Sequence, residues 1–126
     1  MELEGKVAVV TGAAQGIGAD TVRRFAAEGA RVVAVDLQEE KVAGIEKEGG
    51  RGVFGVKADM GDTGGIDSAF EEAVERFGGV DILVNCAVIR ASGPLDSLEE
   101  EIADLAISVG LKGYLFFAQR PARGAL

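Results

Sequence analysis

The sequence contains no histidine, and this absence excludes two kinds of site. Without an imidazole the chain cannot build a histidine-based metal site or a Ser-His nucleophile pair. We therefore predict no metal site. The sequence has one cysteine, Cys86, which cannot form a disulfide within the chain. A reducing, cytoplasmic location is the expectation from that cysteine usage.

Basic residues and long apolar runs are also scarce. Lys and Arg total 13 against 21 Asp and Glu, which gives a net charge of −8. Nucleic acids and anionic membrane surfaces both attract basic faces, so neither is an expected partner. No apolar run reaches the roughly 18 residues needed to cross a bilayer. The opening "MELEGK" lacks the basic-then-apolar pattern of a secretory signal.

What is present suits one α/β domain. The 126 residues are 48% hydrophobic and 27% charged, as in a globular protein. Apolar β-branched runs alternate with stretches of helical periodicity, which is typical of parallel strands joined by right-handed crossovers. We predict a partial, Rossmann-like, doubly wound parallel sheet of strand order 3-2-1-4 with helices on both faces. The predicted strands are 7–10, 31–36, 52–59 and 80–88, and the predicted helices between them are 16–28, 38–48 and 64–77.

The pattern changes after residue 90. A loop is predicted over 91–96, and Ser97 with Glu100 has the spacing of a capping box, so a helix should begin near Leu98. Gly110 and Gly113 are expected to interrupt this helix before its apolar face resumes. The tail from residue 120 should fray because it contains Pro and Gly.

Three glycines follow the first strand in "VTGAAQGIG": Gly12, Gly16 and Gly18. A turn from strand to helix that presents bare backbone N–H groups to a pyrophosphate favours glycine, and the helix dipole adds positive charge there. A glycine triplet alone is weak evidence. Here it lies between a predicted strand and a predicted helix, as the motif requires.

Asp36 ends the second predicted strand, close to the spacing expected for an acid that binds the adenosine ribose. A carboxylate there accepts hydrogen bonds from the ribose hydroxyls and repels a 2′-phosphate. Leu37 follows it, and the sequence places no Arg or Lys beside this loop to pair a 2′-phosphate. We therefore expect NAD rather than NADP. The alternative is that Asp36 only caps the next helix.

The segments "TGAAQGIG", "VVAVD", "KADM" and "GGVDILVNCAV" together resemble the N-terminal half of a short-chain dehydrogenase/reductase, from about Leu3 to Gln119. The resemblance implies that Asp59 reaches the adenine ring with Met60 beside it. It also implies that Asn85 stabilises the central strand while its neighbours line the cofactor. The cofactor-binding residues so predicted are Gly12, Gln15, Gly16, Ile17, Gly18, Asp36, Leu37, Asp59, Met60, Asn85 and Ala87.

The sequence departs from this family at several positions. The family's Asn-Asn-Ala-Gly is Asn85-Cys86-Ala87-Val88 here, with Cys86 interpreted as a small buried residue and Val88 able to crowd the cofactor. Gly110 occupies the position of the family's catalytic Asn. The family's catalytic Tyr is followed four residues later by Lys, whereas the single tyrosine, Tyr114, is followed by Ala118. Tyr114 is interpreted as a core or interface residue, so no catalytic residue is predicted.

These observations leave three hypotheses. The first is a single truncated dinucleotide-binding domain over 1–126 that binds NAD or an ADP-like nucleotide but cannot transfer hydride alone. The second is an interaction module, a homo-oligomer or one fragment of a split dehydrogenase, because the strand at 80–88 would leave an apolar sheet edge. The third is an enzyme that acts by a route the sequence does not reveal.

Overall fold

The computed structural model describes residues 1–89 and 93–122, with side chains up to residue 119. Four strands alternate with helices, and a helical C-terminal segment follows the last strand. The strands are β1 (Val7–Thr11), β2 (Arg31–Asp36), β3 (Val53–Lys57) and β4 (Ile82–Asn85). The helices are α1 (Gly16–Ala27), α2 (Glu39–Gly49), α3 (Thr63–Phe77), α4 (Glu100–Ile107) and α5 (Gly113–Ala122), with short 3₁₀ turns at Gly50–Gly52 and Leu95–Ser97.

The four strands form one parallel sheet in the order β3-β2-β1-β4, which confirms the predicted topology. Val9 in the centre of β1 is level with Val33 of β2 and Leu83 of β4. Because all four strands run in the same direction, the loops after β1, β2 and β4 meet at one edge of the sheet. That carboxyl edge is where the predicted site residues are concentrated.

Alternate residues of the strands supply two separate cores, one on each face of the sheet. Ala8 and Val10 pack with α1 and α2, whereas Val9 packs with α3 and the C-terminal helices. The first core is built mainly from Ala and Val, and the second adds larger side chains, including Ile66, Phe70, Val109 and Phe117. This alternation is the period-2 pattern of strands covered on both faces.

Several local predictions are corrected by the structure. Ser97 does not cap a helix: its hydroxyl donates to the Pro94 carbonyl, and α4 begins two residues beyond the predicted start, at Glu100. Gly110 and Gly113 do not interrupt the chain's helical path, because a π-helical segment, Ser108–Lys112, joins α4 to α5. Cys86 is half-buried rather than buried.

The helix-face prediction for α1 is also wrong at one position. Helical spacing within 16–28 predicts that Ile17 shares one apolar face with Thr21/Val22, Phe25 and Ala26. The Ile17 side chain is instead 80% exposed at the carboxyl edge, while Val22 is 1% exposed. The first part of the 91–96 loop and the end of the tail lie outside the described residues. Within 1–89 and 93–122, no helix combines the length and apolar character needed to cross a membrane.

Candidate nucleotide-binding site

The glycine turn after β1 contains glycines with two different structural roles. A Cβ at Gly12 would lie 2.7 Å from the backbone N of Ala87, and a Cβ at Gly18 would overlap the Gly12 carbonyl oxygen. These two glycines are therefore required for contact between backbone segments. Gly16 has a positive φ of +58°, similar to the +64° of Gly12, but it differs because nothing lies within 4 Å of its Cβ position. Only Gly16 faces open space, where a ligand could approach.

The N-terminus of α1 suits an anion. Gln15 precedes the helix with no side-chain capping hydrogen bond, and the first turn contains no acidic residue. The first N–H groups of a helix lack partners within the helix and carry the positive end of its dipole. The chemistry of this turn therefore fits a pyrophosphate held by backbone N–H groups.

Asp36 at the end of β2 is joined directly to the glycine turn. One of its carboxylate oxygens accepts from the Ala14 N–H at 3.1 Å, and the other accepts from the Gln38 N–H at 3.0 Å. Gln38, not Asp36, is the residue that precedes α2. The carboxylate thus contacts both the glycine turn and the residue that precedes α2, and its role toward a ribose stays a prediction.

The segment after β4 forms the other side of this edge. Asn85 is level with Thr11 in the sheet, and both are at the ends of their strands. The Thr11 hydroxyl oxygen accepts from the Cys86 N–H at 3.1 Å and the Ala87 N–H at 3.2 Å. Thr11 is not among the site residues predicted from the sequence, although a polar residue that ends a buried apolar strand is a visible signal.

Asp59 and Met60 follow β3 and have different environments. Asp59 is exposed, and its carboxylate accepts from the Gly61 N–H at 2.8 Å. Met60 is 6% exposed and packs in the core with Phe70 and Phe117. The Met60 side chain therefore lies within the core, and its assignment beside adenine stays a prediction.

Three exposed apolar side chains follow the ends of three strands. Ile17, Leu37 and Val88 are 80%, 60% and 64% exposed. Single exposed apolar residues are ordinary on a surface, but these three share the edge that carries Gly16 and Asp36. The carboxyl edge therefore combines exposed apolar side chains with polar groups, a combination typical of ligand-binding sites. Val88 was not among the predicted site residues.

A basic side chain also reaches the glycine turn, which corrects the expectation that none does. The Lys41 ammonium in α2 donates to the Gln15 side-chain oxygen at 2.8 Å. The two residues are 26 positions apart, so sequence spacing could not indicate the contact.

A groove of about 400 Å³ lies between α1 and α2. It is lined in part by Val22, Ala26, Ile45 and Val53, and it contains none of the predicted site residues. No cluster of potential metal ligands occurs in the described portion of the chain.

Tyr114 donates its hydroxyl to the Ala87 carbonyl at 2.7 Å. Burial raises the pKa of Tyr114 above its ordinary value of 10.0, and the nearby Cys86 raises it further. Family chemistry requires the opposite direction, a tyrosine pKa lowered by a neighbouring cation. Tyr114 therefore keeps its proton to higher pH than an ordinary tyrosine does.

We expect the phenol of Tyr114 to ionise above pH 10.0 in the folded protein. The unfolded chain would lose this proton first, so this group's contribution to the free energy of unfolding is complete below pH 10.0 and declines as pH rises through the folded-state pKa. Tyrosinate absorbance in an alkaline titration measures this directly, because the chain has one Tyr and no Trp. A midpoint at or below that of the urea-unfolded chain would contradict the prediction.

The parallel sheet and the glycine turn at its carboxyl edge define a Rossmann-like α/β domain. The family model described as "short chain dehydrogenase" matches residues 6–123. The chain belongs to this family.

Comparison with known members of the family shows how much of their length this chain matches. The chain is 39% identical over 122 residues to a subunit of (2S)-[(R)-hydroxy(phenyl)methyl]succinyl-CoA dehydrogenase of Thauera aromatica, covering 94% of this chain and 49% of that protein. Among solved structures, 3-ketoacyl-(acyl-carrier-protein) reductase of Brucella melitensis complexed with NADH is similar at TM-score 0.90 and 35% identity, over 94% of this chain and 49% of that one.

A short chain dehydrogenase of Burkholderia cenocepacia in complex with NADP is similar at TM-score 0.86 and 38% identity, over 98% of this chain and 52% of that one. The chain thus spans about half the length of the relatives it matches. These relatives include complexes with NADH and with NADP, so the family likeness indicates a nicotinamide dinucleotide without choosing between the two.

Proposed function

We propose that residues 1–126 form a single domain that binds the ADP portion of NAD and does not transfer hydride by itself. The observation that carries the proposal is the Ala14 N–H bond to the Asp36 carboxylate, which joins the ribose-binding candidate to the glycine turn. Open space at Gly16 and the uncapped N-terminus of α1 support a pyrophosphate beside that carboxylate. When bound, NAD would supply the hydride-accepting ring, while the residues described above would hold its adenosine and pyrophosphate.

NAD is proposed over NADP because Asp36 lies beside the glycine turn, where its negative charge would face a 2′-phosphate. Its carboxylate is fixed by two backbone N–H groups and could accept directly from ribose hydroxyls. Lys41 is exposed and bonded to the neutral amide of Gln15. An exposed ammonium gains little from a distant phosphate in high dielectric, whereas a carboxylate facing a 2′-phosphate is directly repelled.

Absence of hydride transfer is proposed from the reactive groups available. Tyr114 is the one tyrosine, its hydroxyl is bonded to Ala87, and Ala118 stands where the family has Lys. Hydride transfer also needs a substrate positioned against the ring and an acid. NADH formation from a small secondary alcohol or sugar, abolished by Gly12→Val, would contradict this part of the proposal.

Calorimetric titration with NAD and with ADP-ribose tests the binding proposal. We expect dissociation constants within a factor of about three of each other, because the proposed contacts are all to the shared ADP portion. Nicotinamide mononucleotide, which lacks that portion, is the matched control ligand and should not bind. Much tighter binding of intact NAD, or no binding of ADP-ribose, would contradict the proposal.

A second candidate function is association, either as a homo-oligomer or with a C-terminal fragment that supplies the rest of the family fold. Within the described residues β4 pairs with β1 on one side only. The C-terminal helical segment also exposes large apolar side chains: Leu105, Leu111, Leu115 and Phe116. An open strand edge and exposed apolar side chains each favour pairing with another chain. Light scattering tests this, and a monodisperse monomer would contradict self-association.

A further inference from the structure

The Cys86–Ala87 segment is held from two sides by hydroxyl groups. Thr11 accepts from both backbone N–H groups of the segment. On the other side, Tyr114 donates to the Ala87 carbonyl at 2.7 Å, the common length of a good O–H···O bond. Thr11 belongs to β1 and Tyr114 to α5, so the segment's position depends on two elements that are distant in sequence.

This segment is one wall of the glycine turn. A Cβ on Gly12 would lie 2.7 Å from the Ala87 nitrogen and 2.7 Å from the Cys86 carbonyl carbon, so the two backbones are in close contact. Val88, next along the chain, is exposed at the same edge. A displacement of Ala87 would therefore change both the support of Gly12 and the position of Val88.

The phenol of Tyr114 is directed at this wall by its own helix. The π-helical segment Ser108–Lys112 immediately precedes α5. One extra residue in a turn rotates all later side chains by about 100° relative to an uninterrupted α-helix. Gly113 then fixes the start of α5 against the chain at Met60, because a Cβ at Gly113 would overlap the Met60 carbonyl oxygen. Phe117, fully buried and edge-on to Phe70 at 6.2 Å between ring centroids, fixes the following turn.

We propose that Tyr114 is a positioning residue for the nucleotide site: its bond to the Ala87 carbonyl holds the Cys86–Ala87 segment against Gly12 and so fixes the wall of the glycine turn. The proposal rests on the proposed function for the identity of the ligand. Tyr114 acts on the turn through its hydrogen bond to Ala87. The competing explanation is that Tyr114 only adds stability to the fold.

The test compares Tyr114→Phe with the wild-type chain by two measurements. Calorimetry with ADP-ribose should give a dissociation constant about fivefold weaker, the factor expected for one net hydrogen bond. Amide hydrogen exchange should be faster at Cys86 and Ala87, while the amides of β1 stay protected. Phe keeps the ring, so the variant removes only the hydroxyl.

Ile45→Val is the matched control. Ile45 is 6% exposed in the other core, and its truncation lowers stability without touching the Cys86–Ala87 segment. We expect a lower melting temperature with unchanged ADP-ribose affinity and unchanged exchange at Cys86 and Ala87. A merely stabilising role for Tyr114 would make its variant behave like this control.

The outcomes separate this proposal from the proposed function. Equal affinity and equal exchange in Tyr114→Phe and wild type would overturn the positioning role. Failure of the wild-type chain to bind ADP-ribose would overturn the proposed function instead, and hydrogen exchange would still decide whether Tyr114 holds the segment. Faster exchange at Ala87 together with weaker ADP-ribose binding would support both.

Discussion

Gly18→Ala is expected to abolish nucleotide binding and to lower the free energy of unfolding by about 3 kcal/mol, the upper part of the usual range for overpacking. The added Cβ would overlap the Gly12 carbonyl oxygen, and the next neighbour is the Gly12 carbonyl carbon at 2.7 Å. Both are backbone atoms, so no side chain can rotate to make room. Relief requires α1 to move away from β1, which separates the glycine turn from its helix. Circular dichroism during urea unfolding measures the loss of stability.

Gly16→Ala is the matched control for this prediction. The same methyl group is added two residues earlier, at φ +58° and with nothing within 4 Å. The expected cost is the backbone penalty of the left-handed region, about 1–2 kcal/mol, with no overlap. Gly16→Ala should therefore fold with lower stability, while Gly18→Ala should show the larger loss. Equal losses in the two variants would show that overlap with Gly12 does not decide the effect.

Asp36→Asn is expected to produce the largest change in ligand preference. Loss of a hydrogen bond to a charged group costs roughly 1.5–3 kcal/mol, so ADP-ribose should bind at least about tenfold more weakly. The binding of the 2′-phosphorylated form of ADP-ribose should not weaken, because the carboxylate that repels its 2′-phosphate is gone. Calorimetry with the two ligands gives the preference as a ratio.

The control for Asp36→Asn is Glu40→Gln, which makes the same change of charge in the first turn of α2. Glu40 is exposed and is not among the candidate site residues. It should change neither ligand's affinity by more than the small effect of an exposed charge. If both variants shift the preference equally, the general negative charge of the chain, and not Asp36, selects the ligand.

The sequence was most informative where local periodicity and turn chemistry agree. The sequence predicts the run at 31–36 with the bounds that β2 has. Gly78 ends α3 in the left-handed conformation, as a glycine after a helix predicts. The predictions were wrong where a contact or position in the folded chain differed from the one that the local motif indicated. Ser97 bonded to Pro94 instead of capping a helix, and Ile17 was exposed beside the glycine turn despite its helical spacing.

The sequence alone determined the doubly wound sheet, its strand order and the edge at which the candidate site lies, because strand and helix periods, glycine turns and crossover handedness are all local or general rules. Only the tertiary structure decided which glycine of the turn faces open space, how Lys41 reaches Gln15 and how Tyr114 reaches Ala87. Those contacts join residues 26 and 27 positions apart across different elements. Their geometry depends on how helices pack on the sheet and on a π-helical turn, neither of which leaves a local pattern in the residues.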